Sequence, residues 1–339
     1  MFGGNAKASW IQTWHDQRFF NRLLTKLKSR GEQSQAFKKG GASHYNVGND
    51  LYSRMLDSRM MYSCAYWNKP GLSLEEAQVA KLDLICRKVI PDFRELSRNF
   101  EPSGEKYAGS TESKKAIRDP KKLKILEIGC GWGGFAEYAA TTYGAEVTGV
   151  TVSKEQAKLA RERCKNLSAE IKLMDYRDLT DQYDVIVSIG MFEHVGRAHY
   201  KTFFKTVERV LKPGGLFLLH TIINDHSKSG FDPFLDKYIF PGAELPSVAD
   251  MLEASDGLLR AEDIHLLGSE HYEQTLLEWH KRLMMNWPEI SKLGNYDDRF
   301  RRMFEYYLLT CAGAFRSRVI DVAQIVFSKN FPGRYQQMR

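Results

Sequence analysis

The run Lys124-Ile-Leu-Glu-Ile-Gly-Cys-Gly-Trp-Gly-Gly134 constrains the fold of this 339-residue chain more than any other stretch. An apolar strand that breaks at once into closely spaced glycines brings backbone N–H groups to the start of a following helix. Such a turn favours a nucleotide-like ligand. Taken alone, Gly129, Gly131, Gly133 and Gly134 are compatible with dinucleotide binding, and hence with a dehydrogenase. The next strand, Glu146-Val-Thr-Gly-Val-Thr151, leads into Val152-Ser-Lys-Glu-Gln156 and an Ala/Leu/Arg-rich helix. Its end lies about 20 residues beyond the turn, as a nucleoside reader requires. No acid stands there to take a ribose, which leaves Thr151 and Gln156 as the hydroxyl-pairing groups.

Around this turn the chain reads as an α/β protein with a doubly wound, mostly parallel, seven-stranded sheet. Strands are predicted at Lys124–Ile128, Glu146–Val150, Ile171–Met174, Asp184–Ser188 and Leu216–His220, with amphipathic helical stretches between them. Asp263–Leu267 and Ala323–Ser328 complete the sheet, and Tyr272–Trp287 and Tyr296–Ser317 read as helices. The polar stretch 97–122, poor in apolar groups, reads as a linker. The implied organisation is a basic, amphipathic helical segment over 1–96, that linker, a doubly wound domain over 123–329 and a tail over 330–339.

Ligands of open parallel sheets sit beyond the carboxyl ends of the strands, and chemistry-bearing residues collect there. Glu127 and the glycine turn follow the first strand, Thr151, Ser153 and Gln156 the second, and Asp175-Tyr176-Arg177 the third. Glu193 and His194 follow the fourth, His220 and Ile222 belong to the fifth, and Tyr272 follows the sixth. Convergence from distant positions is stronger evidence than any one residue, because each has a bland alternative. His220 reads equally as a satisfied core histidine, Cys64 as a small buried hydrophobe, and Cys130 and Trp132 as helix-turn packing.

The Glu-Ile-Gly-Cys-Gly form of the turn resembles that of S-adenosylmethionine (SAM)-dependent methyltransferases. Further words make the resemblance narrower: His44-Tyr-Asn-Val-Gly-Asn-Asp50, Tyr62-Ser-Cys-Ala-Tyr-Trp67, Gly190-Met-Phe-Glu-His-Val-Gly196, Leu218-Leu-His-Thr-Ile222, Ile239-Phe-Pro-Gly242, Leu245-Pro-Ser247 and Cys311-Ala-Gly-Ala-Phe-Arg316. Together, from about His44 to Lys329, they resemble the cyclopropane-fatty-acyl-phospholipid synthase family, from which the 97–122 insertion departs. The resemblance implies a Rossmann-like methyltransferase fold with an N-terminal lid and helical additions. It implies SAM as cosubstrate, held by Tyr62 and Ser63 of the lid and by Glu127, Gly129, Cys130, Gly131, Gly133, Thr151, Ser153, Gln156, Asp175, Tyr176 and Arg177. The activity it implies is methylene transfer to the cis double bond of a phospholipid acyl chain, with a bound bicarbonate as base. The matching positions are Cys64, Glu193, His220, the backbone of Ile222, and Tyr272. Cys311 matches a cysteine of the family pattern; no step of this chemistry needs a thiolate, so it reads as lining the lipid pocket. His194 reads as structural. Simple C-methylation of a lipid, and a non-catalytic SAM- or lipid-binding module, are the alternatives.

Charge and composition bear on the partners. Between Met1 and Ser43 eight Lys/Arg face two acids, so this segment holds +6 of the formal +7. Trp10, Ile11, Trp14, Phe19, Phe20, Leu23, Leu24 and Leu27 are interleaved with them, mostly along one helical face. That pattern suits an anionic membrane surface, and suits equally a helix capping the catalytic domain; a phospholipid substrate tips it toward the membrane. No recognition motif supports nucleic acid. The scattered cysteines at 64, 86, 130, 164 and 311 suggest neither metal nor disulfide spacing. With no signal-peptide pattern and no run of about 20 apolar residues, the expectation is a cytoplasmic protein peripherally associated with the inner membrane surface. A homodimer is compatible with the sequence.

Overall fold

The computed structural model describes residues 48–90, 123–224, 232–294 and 296–339. The expected N-terminal basic segment, the first part of the His44–Asp50 word and the 97–122 linker lie outside these residues.

The lid begins with α1 (Asn49–Met55) and α2 (Leu74–Val89). Helix α2 starts at a reciprocal capping box, in which the Ser73 hydroxyl accepts from the Glu76 N–H and the Glu76 carboxylate accepts from the Ser73 N–H. The alternating unit follows as β1 (Lys124–Ile128), α3 (Gly134–Tyr143), β2 (Glu146–Thr151), α4 (Lys154–Arg163), β3 (Ala169–Leu173), β4 (Tyr183–Ile189), α5 (Tyr200–Val210) and β5 (Leu211–Asn224). Then come α6 (Pro233–Tyr238), α7 (Val248–Ser255), β6 (Arg260–Leu266), α8 (Ser269–Ile290), α9 (Asp298–Arg316) and β7 (Ile320–Lys329).

The seven strands form one sheet in the order β3-β2-β1-β4-β5-β7-β6. All are parallel except β7, which runs antiparallel to β5 and β6. Chain order reverses between β1 and β4, the switch point at which such sheets open a ligand crevice. Strand β4, buried along its whole length, shows the near-continuous apolar run of a strand covered on both faces.

Period-two alternation sends successive residues to opposite layers. Ile125, Val187 and Leu218 pack beneath α2, α3 and α4 with Leu82, Ile85, Phe135 and Ala160. Leu126, Ile186 and Phe217 pack on the other face with Phe203, Phe204 and Met251 of α5 and α7. A third cluster joins the lid to α8 and α9 through Tyr52, Trp279, Phe304, Tyr307 and Phe315.

Several boundaries differ from those read in the sequence. Strand β5 runs from Leu211 to Asn224 rather than over Leu216–His220, because β7 pairs with it antiparallel from Gly215↔Lys329 to Asn224↔Ile320. Helix α9 starts at Asp298 rather than Tyr296, since the Asp297 carboxylate caps it by accepting from the Phe300 N–H.

Candidate active site

The glycine turn is welded to its neighbour strand. The N–H groups of Gly129 and Cys130 both donate to the Val150 carbonyl, at 2.9 and 3.0 Å, and that of Gly133 donates to the Cys130 carbonyl. The turn therefore does not present all its amides to a ligand, as its spacing suggested; most of them hold its shape. Gly131 is different. With φ +51 and nothing within 4 Å of the position its Cβ would take, it borders open space. A Cβ on Gly129 would stand 2.6 Å from Met191, so that glycine serves the close approach of the loop after β4. Cys130 points into the core, where a Cβ on Gly149 would come within 2.9 Å of it. Its thiol is held protonated by burial, and only its backbone belongs to the turn.

The lid is bolted onto this turn. The Trp132 indole N–H donates to Asn49 Oδ1 of α1 at 2.8 Å. Arg163 of α4 donates to the Trp132 and Ser58 carbonyls and to Glu137. Gly134 lies so close to Arg59 and Met61 that a Cβ would meet the Arg59 carbonyl at 2.7 Å.

The polar candidates after β2 and β3 form two compact groups. The Thr151 hydroxyl donates to Gln156 Oε1 at 2.9 Å and accepts from the Ser153 N–H, while the Ser153 hydroxyl caps α4 by accepting from the Gln156 N–H. Ser153 is thus spent on the helix, and Thr151 orients the Gln156 amide. The Asp175 carboxylate accepts from the Arg177 backbone and guanidinium, the shortest contact being 2.6 Å. The Tyr176 ring sits edge-on to Phe203 in the core, 5.4 Å between centroids.

Beneath the turn lies a charge that the sequence reading did not single out. Lys81 of α2 is fully buried, and its ammonium donates to Ser63 Oγ at 2.9 Å. Burial lowers its pKa to about 8, opposed by attraction to Asp57, Cys64 and Glu127. Glu127 is also fully buried; desolvation pushes its carboxyl well above the usual range against the pull of Lys81. One of its oxygens, Oε2, has no partner among the described residues. A lysine in an i, i+3, i+4 row with Leu74, Ala77, Gln78, Leu82 and Ile85 was the sequence signal. It is cheap to overlook, because lysines on such faces more often snorkel outward.

Glu193, Ile222 and His220 come together where the loop after β4 is tied to β5. The Gly190 N–H donates to the His220 carbonyl, and the Ile222 N–H donates to Glu193 Oε1 at 2.7 Å. Ile222 therefore holds Glu193 rather than offering a free donor. Glu193 Oε2 is buried and makes no hydrogen bond of ordinary geometry among the described residues, and desolvation raises the pKa of the carboxyl against the pull of the Ile222 N–H, the Glu193 backbone and the Thr221 hydroxyl. His220, 2% exposed, is kept neutral by burial and by the nearby cations Lys81 and Lys88. Its Nδ1 lies 3.2 Å from the Gln324 side-chain nitrogen. Burial likewise keeps His194 neutral, lowering its pKa to about 4.

Cys64 is fully buried, its thiol donating to the Ala65 carbonyl, and desolvation pushes its pKa far up. Cys311 of α9 is raised to about 12 by the same cause. Neither is a thiolate at neutral pH. Tyr62 shares a hydrogen bond of 2.8 Å with the Tyr307 hydroxyl and packs 5.1 Å from Trp279. Tyr272 lies 4.5 Å from Phe315 and 6.0 Å from Trp279, and Phe240 closes on Tyr307. These rings form an aromatic cluster between lid, α8 and α9; Tyr62, Phe240 and Phe315 stood within words quoted from the sequence and Tyr272 after the sixth strand, whereas Trp279 and Tyr307 were not singled out.

Comparison with known proteins agrees with this architecture. The sequence matches the profile of the family described as Mycolic acid cyclopropane synthetase over residues 32–91 and 114–325. It is 48% identical over 289 residues to cyclopropane-fatty-acyl-phospholipid synthase of Escherichia coli, covering 85% of this chain and 67% of that one. Cyclopropane mycolic acid synthase 1 of Mycobacterium tuberculosis is 30% identical over 308 residues, covering 85% of this chain and 96% of that one. Among solved structures, the cyclopropane synthase MmaA2 of M. tuberculosis superposes with a TM-score of 0.73 at 27% identity, over 86% of this chain and 98% of that one. Mycolic acid cyclopropane synthase CmaA1, in complex with SAH and CTAB, gives 0.72 at 29% identity, over 86% of this chain and 98% of that one.

Proposed function

This chain belongs to the mycolic acid cyclopropane synthetase family of SAM-dependent methyltransferases, and from that premise we propose that it converts the cis double bond of an unsaturated phospholipid acyl chain into a cyclopropane. The observation that carries the reading is the carboxyl of Glu193, buried in the crevice with Oε1 fixed by the Ile222 N–H and Oε2 making no hydrogen bond of ordinary geometry among the described residues. Folding rarely leaves such an atom unmet unless a ligand satisfies it.

The cosubstrate would lie over Gly131, where the turn borders open space, with Gln156 and Asp175 at its ribose and adenine ends and Tyr62 and Ser63 closing from the lid. Relatives named as cyclopropane synthases, one of them solved with SAH, support SAM as the cosubstrate. Attack by an alkene on a sulfonium methyl needs no activated nucleophile, in keeping with the protonated state of Cys64 and Cys311. The problem is the positive charge left on the acyl chain. Tyr62, Tyr272, Trp279, Tyr307 and Phe315 offer ring faces to such a charge and keep water away from it.

Ring closure requires a base near the new methyl, and a bicarbonate, when bound, would supply one. The residues present fit such an anion. Glu193 Oε2 would accept its proton, neutral His220 would donate from Nε2, and the Tyr272 hydroxyl and Cys64 would border it. Ile222 acts through Glu193, whose carboxyl it orients.

We assign the lipid to a bilayer surface, reached from the cytoplasm by the basic, aromatic segment before Ser43. No helix among the described residues is long and apolar enough to cross a membrane. The test is mass spectrometry of lipids from cells expressing the chain. Unsaturated acyl chains should gain the mass of one methylene and resist hydrogenation. A mass gain in a product that still hydrogenates would replace the reading with simple C-methylation, and release of no S-adenosylhomocysteine on lipid vesicles would remove the enzyme.

A further inference from the structure

We infer that Gln324 of β7 is a positioning residue that fixes the tautomer of His220, so that the imidazole carries its proton on Nε2 and faces the reaction as a donor. His220 and Gln324 are directly opposed across β5 and β7, and Gln324 and His265 across β7 and β6. Directly opposed residues share one face of a sheet, so the three side chains form a row on the face covered by α2. His220 and Gln324 are both buried, and 3.2 Å separates the Gln324 amide nitrogen from Nδ1 of His220.

The direction of that contact follows from the ends of the row. An amide nitrogen only donates, so the ring nitrogen it meets must be the bare one. The opposite amide orientation would turn the carbonyl toward His220 and move the imidazole proton to Nδ1. Electrostatics decides between the two. Lys88 of α2 is fully buried, and its ammonium lies 2.9 Å from Nδ1 of His265, at the far end of the row. Asp263 lies 3.7 Å from that ammonium but is also bound by the Arg339 guanidinium, so two cations face one carboxylate there, and this net positive end favours the amide dipole with its oxygen toward His265 and its NH2 toward His220. In this orientation the Gln324 oxygen makes no hydrogen bond among the described residues, and the positive potential at that end of the row offsets part of the cost. Lys88, with Lys81, disfavours a second proton on His220. The partner of one ring nitrogen thus sets what the other can do.

This assignment rests on the reading of His220 as part of the reaction site, but the tautomer is measured without substrate, so the two can fail separately. In the full chain labelled with 15N-histidine, His220 should show Nε2 protonated and Nδ1 as a hydrogen-bonded acceptor. Gln324→Met keeps the volume and removes the donor. It should move the Nδ1 resonance toward that of an unbonded imine nitrogen and lower turnover on vesicles by about tenfold to a hundredfold, the scale of losing a histidine's outer partner, with the KM for SAM unchanged. Protonation at Nδ1 in the wild type overturns the assignment. So does a Gln324→Met protein whose resonance or turnover stays at the wild-type value. Should that variant not fold, the wild-type spectrum alone decides.

Discussion

At the scale of single residues, the site works through groups whose charge is set by burial. Glu193→Gln retains an acceptor for the Ile222 N–H, so the fold and the affinity for SAM should survive. The orienting carboxyl is lost, and turnover should fall by about two orders of magnitude, as when a general-base arrangement fails. Bicarbonate-depleted buffer should slow the wild type and barely alter the variant; full wild-type activity in carbonate-free buffer would remove bicarbonate from the mechanism. Burial also lowers the pKa of His194 to about 4. A base whose folded pKa is depressed stabilises the fold above its unfolded pKa, about 6.5, and loses that contribution as pH falls through the folded value. The raised carboxyls of Glu127 and Glu193 run the other way in the same window, so the informative quantity is a difference. The stability of wild type relative to His194→Gln should decline as pH drops from 6.5 toward 4; a gap independent of pH would show that His194 is not held neutral. Glu193 and His220 stood out as candidates in the sequence because they sit in rare words at strand ends, and Tyr272 because it follows the sixth strand, in the first turn of α8. Lys81 and Gln324 did not, since a lysine on an apolar helix face and a glutamine inside a strand acquire meaning only from what the sheet brings opposite them.

Secondary-structure elements were read best where a local pattern bounds them. Strands β1, β2 and β4 came close to their expected limits, each ended by a turn, while β3, which alternates polar and apolar residues, starts at Ala169, two residues before its expected start. The extents of β5 and β7 depend on pairing with each other, which no local pattern encodes. The glycine turn shows the same division. Its existence was plain, but that Gly131 borders open space while Gly129 meets Met191 follows only from the packing of the loop after β4. Gly129→Ala should therefore damage folding: its Cβ would stand 2.6 Å from Met191 at φ +82, combining overpacking of about 1–3 kcal/mol with a left-handed backbone. Gly131→Asp has open space around its Cβ and should fold at a cost of about 1–2 kcal/mol. It should nevertheless lose SAM binding, because its carboxylate would occupy that space and repel the carboxylate of the cosubstrate. Calorimetry on the folded Gly131→Asp protein checks this, and an unchanged affinity would move the cosubstrate away from the turn.

At the scale of the whole molecule, the proposed lipid substrate requires a surface that brings the enzyme to a membrane. The net charge is carried almost entirely by the segment before Ser43, where basic residues alternate with Trp, Phe and Leu. Each Lys or Arg near an anionic surface gains roughly 1 kcal/mol, so four acting together would dominate weak vesicle binding and make it salt-sensitive. Reversing Arg18, Arg22, Lys26 and Lys28 to Glu should abolish co-sedimentation with anionic vesicles and lower activity on them. The affinity for SAM, which we propose to bind at the turn between β1 and α3, should stay the same. The contrast separates delivery from chemistry: a delivery segment changes the apparent affinity for vesicles and its salt dependence, whereas a cap on the catalytic domain changes thermal stability and SAM binding as well. If the reversed protein sediments with vesicles at low salt as well as the wild type does, the membrane contact lies elsewhere on the molecule.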